Sequence, residues 1–434
     1  MKRTKNLIYL SYKLRGRKDF DLYNDFRNNG HKSLEELEIE QLEAFHKLFQ
    51  YSKRNVPYYR ELFTKLKLEK EDFKKLEDLD KIPILTKQII KDNYDSFFSE
   101  NFSGKHIVGA TGGSTGEPLK YRMSVEDNSR SFALLYRGLG YGGYELGDKM
   151  AVIAGGSLVK NQQSLTTKIN NVILNFKKFS SYGMSQEDLE NIYLELHKWS
   201  PGFLRGYANS LALFANYCAK NNKKLNFDAV FSTAEMLSLK QRSLIEETFG
   251  CKVFNNYGLN DGGVSAYESK DQNGFIIDTE RGILETVPDN SQKNQLNVEG
   301  RIIATSLYNY AFPFIRYDTG DLGVQNYDKS LERKKLTSLL GRKTDYLEIN
   351  GKSIGSPVLT ILMGTTDVIK YQIIQKRDDS LELRILKGEK YDISQEKFIR
   401  DSLKSNLGEA VKIEIIYTKD FIQSKNKHKF IFRE

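Results

Sequence analysis

Two cysteines in 434 residues, Cys218 and Cys251, stand far apart and form no CxxC spacing, so neither a disulfide framework nor a structural zinc is indicated. A reducing cytoplasm is the expected compartment. Long hydrophobic runs are missing as well. Met1-Lys-Arg-Thr-Lys-Asn-Leu-Ile-Tyr-Leu10 starts like a leader, but its apolar run stops at Ser11-Tyr-Lys-Leu-Arg15. No later stretch approaches the roughly 18–20 apolar residues of a membrane span, so no transmembrane segment is expected. Blocks of one charge sign are lacking too. The 66 basic and 57 acidic residues are interspersed and leave a net charge of +9, mild for this length. Nucleic-acid binders concentrate such an excess on one face, so nucleic acid is not an expected partner. Internal repeats and low-complexity tracts are absent.

What is present is ordinary globular composition, 39% hydrophobic and 28% charged. The length exceeds the usual limit of one core, which predicts a large domain with a smaller one. Ser33-Leu-Glu-Glu36 is a capping box, and Leu34, Leu37, Leu42, Phe45, Leu48 and Phe49 follow at helical spacing. Val56-Pro-Tyr-Tyr-Arg60 breaks that helix, and Lys81-Ile-Pro-Ile-Leu-Thr-Lys87 leads into another. Strand and helix patterns then alternate: Ile107-Val108, the helix Val125 to Tyr141, Met150–Ala154, Asp228–Ser232, the helix Ser238 to Phe249, and Lys252–Asn255. The alternation predicts an α/β fold with a largely parallel sheet. After Gly274 short strands and polar turns predict a β-rich subdomain. From about residue 345, alternating Leu381, Leu383 and Ile385, a helix Ser394–Leu407 stopped by Gly408, and alternating Val411, Ile413 and Ile415 predict a small α+β domain.

Ala110-Thr-Gly-Gly-Ser-Thr-Gly-Glu-Pro118 is useless as core and suits a loop around phosphate. Gly112, Gly113 and Gly116 allow close backbone approach, while Thr111, Ser114 and Thr115 add hydroxyl donors. Glu117 stands where a kinase-type P-loop needs Lys. An isolated Gly/Ser run also serves as a plain flexible turn. In Phe254-Asn-Asn-Tyr-Gly-Leu-Asn-Asp-Gly-Gly263 a strand runs into a polar turn, where Tyr257 suits a purine face and Asp261 suits Mg²⁺; an ordinary Asn/Gly turn is the competing reading. In Phe314-Ile-Arg-Tyr-Asp-Thr-Gly-Asp-Leu322 a polar cluster interrupts an apolar strand. There Asp321 suits ribose hydroxyls, and a hairpin with an Arg316–Asp318 salt bridge ranks equal. Leu339-Leu-Gly-Arg-Lys-Thr-Asp-Tyr-Leu347 places Arg342 at the start of the small domain.

In their order and spacing these four stretches, with Val56-Pro-Tyr-Tyr59 and Pro83-Ile-Leu-Thr-Lys87, resemble the adenylate-forming superfamily over nearly the whole chain. The nearest likeness is to the phenylacetate–coenzyme A ligase family with its CapK-like members of capsular-polysaccharide biosynthesis. The resemblance implies a large α/β domain over 1–342 with a β-rich subdomain, and a small mobile α+β lid over 343–434. It implies that Thr111 to Gly116 enclose ATP phosphates and that Ala234 and Glu235 of Ser232-Thr-Ala-Glu235 form the adenine turn. Asn256, Tyr257 and Gly258 would line the same base, Asp321 the ribose, and Arg342 the nucleotide at the boundary. Asp261 stands in for the family's Glu as Mg²⁺ ligand and catalytic carboxylate. Lys427 in Ser424-Lys-Asn-Lys-His-Lys429 matches the catalytic lysine, with Lys425 and Lys429 left open. Tyr136, Ser181-Tyr182-Gly183 and Arg205-Gly206-Tyr207 would supply the substrate pocket, with plain core packing of the same aromatics as the competing reading.

Two departures matter. Thr344 stands where the hinge commonly has Asp, and the Cys and His of many members are here Tyr267-Glu-Ser-Lys270 and Phe275-Ile-Ile277, so zinc is not expected. The resulting expectation is an ATP- and Mg²⁺-dependent enzyme that adenylates a carboxylic acid and transfers the acyl group to coenzyme A. An amine acceptor in surface-polysaccharide assembly is the alternative, and a catalytically weak nucleotide-binding module the second.

Overall fold

The structure is a computed structural model describing residues 8, 10, 13, 18–110, 120–154, 165–181, 184–342, 346–349, 352–355, 359, 362–363, 366–422 and 430–434. Helices α1 (Asp19–Asn28), α2 (Leu34–Asn55), α3 (Pro57–Lys65) and α4 (Lys87–Asp92) open the chain. Both halves of the Ser33/Glu36 capping box form, as the sequence predicts. Val56 ends α2 in extended backbone, and Pro57 starts α3 at the one position where its missing N–H costs nothing. The apolar face of α2 buries Phe45, Leu48 and Phe49 against α3 and against Phe312, Phe314 and Tyr317.

A hairpin of β1 (His106–Ala110) and β2 (Lys120–Ser124) precedes α5 (Val125–Gly140), capped by the Ser124 side chain. The main sheet follows: β3 (Met150–Ala154), α6 (Leu165–Ile173), β4 (Phe176–Ser180), α7 (Gln186–Trp199), β5 (Phe203–Tyr207), α8 (Ala208–Lys220), β6 (Ala229–Thr233), α9 (Leu239–Phe249) and β7 (Val253–Leu259). Strands β4, β3, β5, β6 and β7 are parallel neighbours in that order, as the alternation predicts. One face packs on α1 and α5 through Tyr23, Phe26, Ala133 and Tyr136. The other packs on α7, α8 and α9 through Leu196, Phe214 and Phe249.

Antiparallel strands continue the sheet, making eleven strands among the described residues: β8 (Val264–Glu268), β9 (Phe275–Ile277), β10 (Gly282–Val287), β11 (Glu299–Ser306), β12 (Tyr317–Asp328) and β13 (Arg333–Arg342). This is the β-rich part, although β12 and β13 are long rather than short. Two readings are corrected. The segment Asn255–Leu259 is not a turn but the continuation of β7, held by antiparallel pairing with β8, and the turn is Asn260–Gly263. Arg316 precedes β12 and pairs with Glu285 at 3.0 Å, not with Asp318, which meets Arg301 at 3.3 Å. Arg316 has φ +51°, which carries its side chain away from the strand face, back to the β10 carboxylate.

After β14 (Tyr346–Ile349) and β15 (Lys352–Gly355) comes a separate four-stranded sheet of β16 (Val368–Gln375), β17 (Leu381–Lys387), β18 (Ile413–Tyr417) and β19 (Ile431–Arg433), covered by α10 (Ile393–Leu407). Leu381, Leu383 and Ile385 bury against Ile399, Leu403 and Leu407 of α10. This unit touches the large one through Lys240, which reaches the Thr366 carbonyl, and through a surface pair of Lys220 and Glu389 at 3.0 Å. Among the described residues no helix is long and apolar enough to cross a membrane.

Candidate active site

In an open parallel sheet the crevice beyond the carboxyl ends of the strands is where ligands bind. The register sets Tyr207 beside Thr233, and Thr233 beside Asn256, so the ends of β5 and β6 and the middle of β7 lie side by side there. Gly206, Tyr207, Ala234, Glu235, Asn256, Tyr257 and Gly258 lie on or next to these neighbouring strand ends. Gly206 is required by packing: a Cβ there would lie 2.3 Å from the Ile153 carbonyl. Ala234 takes φ +65°, turning the chain sharply out of β6. Glu235 accepts the Asn209 N–H at 2.9 Å, at the first turn of α8, where unpaired amides favour a carboxylate.

Asp321, only 8% exposed, accepts a hydrogen bond from the Tyr257 hydroxyl at 2.9 Å. Burial, with the Asp321 charge beside it, pushes the Tyr257 phenol well above its ordinary range, so it remains a donor. The sequence suggested a ring over a purine; the contact with Asp321 was not foreseeable from it. Asp321 sits just past an irregularity in β12, where its register with β11 shifts, the Gly320 N–H donates to Asp318 Oδ1 at 2.9 Å and Gly320 takes φ +76°. Its backbone pairs with that of Arg342, which places that boundary residue on the neighbouring strand.

Asp261 occupies the β7–β8 turn. Gly262 and Gly263 hold this turn against β11, where a Cβ on Gly263 would meet Ser306 Oγ at 2.4 Å. Asp261 is electrostatically coupled to the Tyr257 and Tyr121 phenols. Tyr121 belongs to the β1–β2 hairpin, and that hairpin is closed by the pairing of Ala110 with Lys120. The loop that the sequence assigns to phosphate is therefore carried by a hairpin whose Tyr121 neighbours Asp261. Thr111, Gly112, Gly113, Ser114, Thr115, Gly116, Tyr182 and Lys427 lie outside the described residues. A hard carboxylate oxygen at 261 fits Mg²⁺ by donor chemistry.

Tyr136 is buried in α5, edge-on to Tyr23 and stacked 6.4 Å from Tyr144. Sequence reasoning missed the buried ion pairs that fix this layer. Arg281 binds Asp127 of α5 at 2.7 Å and donates to the Leu259 carbonyl at 3.2 Å, tying the helix to the strand that ends at the Asp261 turn. Arg137 meets Asp278 at 2.6 Å and also Glu280. These partners are 141 to 154 residues apart, a distance at which no local pattern announces them. Beside this network, Tyr23, Arg137, Tyr141, Tyr144, Glu280 and Arg333 line a cavity of about 370 Å³.

Residues 347–434 match the family model of the CapK C-terminal domain. Protein CapK of Staphylococcus aureus is 28% identical over 356 residues, 79% of this chain and 76% of that protein. Phenylacetate-coenzyme A ligase of Thermus thermophilus is 26% identical over 368 residues, 82% of both chains. A crystal structure of 2-hydroxyisobutyryl-CoA ligase in the postadenylation state with 2-HIB-AMP superposes with TM-score 0.74 at 18% identity, over 92% of this chain and 89% of that one. The same enzyme in its thioesterification state superposes at 0.59 over 92% and 90%. The α/β fold with a separate C-terminal sheet is thus shared over about nine-tenths of the chain, and in sequence the chain is similar to CapK and to the phenylacetate–coenzyme A ligases over about four-fifths of its length.

Proposed function

We propose that the chain is an ATP-dependent ligase that adenylates a carboxylic acid and passes the acyl group to coenzyme A. The observation that carries this reading is the convergence of Asp321, Tyr257 and Asp261 beside the ends of β6 and β7, under the hairpin that bears residues 111–116. The carboxylate of Asp321, fixed by Tyr257, accepts ribose hydroxyls, and the Ala234–Glu235 and Asn256–Gly258 segments flank the base. A carboxylate oxygen of the acid attacks the α-phosphorus, the bond to the bridging oxygen breaks, and pyrophosphate leaves. Both reactants are anions, so Lys427 brings an ammonium to the charge that builds on the phosphate oxygens. Asp261 would hold Mg²⁺, which when bound neutralises phosphate charge. In the second half-reaction the coenzyme A sulfur attacks the acyl carbonyl and AMP departs. A boundary at 342/343 lets the small unit turn between the two steps, with Arg342 at its root. The better superposition on the postadenylation structure supports a setting suited to the first step.

The match of residues 347–434 to the CapK model favours a second reading, in which the acceptor is an amine. Unpaired Cys218 and Cys251 support a reducing, cytoplasmic setting for either. Incubation with ATP, a carboxylic acid panel and either coenzyme A or amino sugars, followed by mass spectrometry, separates them. Thioester formation is the expected result; AMP release with amide formation and no thioester selects the amine.

A further inference from the structure

Arg137, Arg242, Arg281, Arg301 and Arg316 each meet a carboxylate in the large unit. Arg205 does not. On β5, it makes no hydrogen bond or ion pair with any described residue, and its Nε is covered and unpartnered. Four phenols surround it, those of Tyr267, Tyr136, Tyr207 and Tyr144. A second cation stands in the same row. Lys178 of β4 and Arg205 of β5 are both in register with Val152 of the strand between them. In-register residues of a parallel sheet share a face. Here it is the face of Phe203, Tyr207 and Val152 that packs toward α5, whereas Leu204 and Ile153 point to the opposite layer. Lys178 likewise has no acidic partner among the described residues. Residues 155–164 and 181–184, which follow these strands, contain no Asp or Glu.

Two cations on strands whose backbones lie about 10 Å apart, with no counter-charge among the described residues, are unfavourable unless an anion completes them. Burial lowers Arg205 below its ordinary range, and burial with the Arg205 charge lowers Lys178. Arg205 also lies two residues, about 7 Å of strand, below the end of β5, where on the ligase reading the reacting carboxylate would sit. The anion it awaits is therefore a different group from the one adenylated.

We propose that the acyl substrate carries a second anionic group of carboxylate size at its far end, held by Arg205 and Lys178 among the tyrosines under α5. The proposal rests on the ligase reading, and it adds a substrate class, dianionic acids, to it. Guanidinium binds such a group bidentately, and the phenols add donors without charge.

The test is carboxylate-dependent pyrophosphate exchange with matched acids, phenylacetate against 4-carboxyphenylacetate and pentanoate against glutarate, in wild type, Arg205→Met, Arg205→Lys and Lys178→Met. The expected result is a diacid preference of about tenfold or more. Arg205→Met lowers the diacid kcat/KM by about 30-fold or more, chiefly through KM, and Arg205→Lys restores part of it. The melting temperature of Arg205→Met should not fall, because an uncompensated charge leaves the interior. Monoacids preferred by wild type, or a diacid preference that survives Arg205→Met, would overturn the proposal while leaving the ligase reading intact. If no acid exchanges, that reading fails. Calorimetry with 4-carboxyphenylacetate and glutarate then decides the site: binding lost in Arg205→Met sustains it, and no binding to wild type overturns it.

Discussion

The Tyr257 hydroxyl donates to the Asp321 carboxylate at 2.9 Å, joining the end of β7 to the start of β12 across 64 residues of chain. The bond fixes the carboxylate in a site with almost no exposure, so the acceptor is set before a ribose arrives. Tyr257→Phe removes the donor and leaves a buried acceptor short of one bond. The expected cost is about 1–3 kcal/mol of stability and a several-fold rise in KM for ATP. Denaturant melts and initial rates at varied ATP check both; an unchanged KM would detach the pair from the nucleotide.

Among the three lysines of the tail, only Lys427→Ala is expected to abolish adenylation, while transfer from preformed acyl-adenylate survives largely intact. Lys425→Ala and Lys429→Ala should keep both half-reactions within a few-fold. Single-turnover assays of each half-reaction separate the outcomes, and equal loss of both in Lys427→Ala contradicts the assignment.

Gly206 and Gly258 look alike in sequence and differ in space. Gly206→Ala puts a methyl 2.3 Å from the Ile153 carbonyl and should cost about 1–3 kcal/mol or more, because parallel backbone cannot retreat. Gly258→Ala meets its first neighbour at an ordinary 3.6 Å, so its stability should stay near wild type. Urea unfolding of the two variants provides the comparison.

Burial, only partly offset by Arg137, pushes the Asp278 carboxyl from 3.8 up to about 6. A carboxyl raised in the folded state contributes stability that is complete below about pH 4 and is lost as pH rises through about 6. The stability of wild type relative to Asp278→Asn should therefore fall between pH 4 and 6 and level off above. Denaturation at pH 4, 5, 6 and 7 tests the sign, and a flat difference would refute it.

Much of this fold is legible in the chain because its signals are local. A capping box at Ser33 and Glu36, a stop at Pro57 and the alternation of strand and helix patterns each announce an element within a few residues. Asp321 and the Tyr257–Asp261 segment are legible for the same reason, as polar clusters at strand ends. What is hidden is long-range. The Arg316–Glu285 and Arg281–Asp127 pairs join strands and helices that only the tertiary fold brings together, and nothing in Phe314-Ile-Arg says which acid the Arg will find. The Asn-Asn-Tyr-Gly run reads as a turn by composition, yet β8 supplies backbone partners that keep it extended. Arg205 illustrates the converse. Its residue type is plain in the sequence, but its lack of a counter-charge among the described residues is seen only in the packed sheet.

The most direct measurement is carboxylate-dependent exchange of radiolabelled pyrophosphate into ATP without any acceptor, run on wild type and Asp321→Ala. Reversible acyl-adenylate formation predicts exchange with at least one acid in wild type and a loss of about 100-fold or more in Asp321→Ala. Bound ATP with no exchange for any aryl, aliphatic or amino acid, single- or double-charged, would contradict the account and leave a nucleotide-binding module in its place.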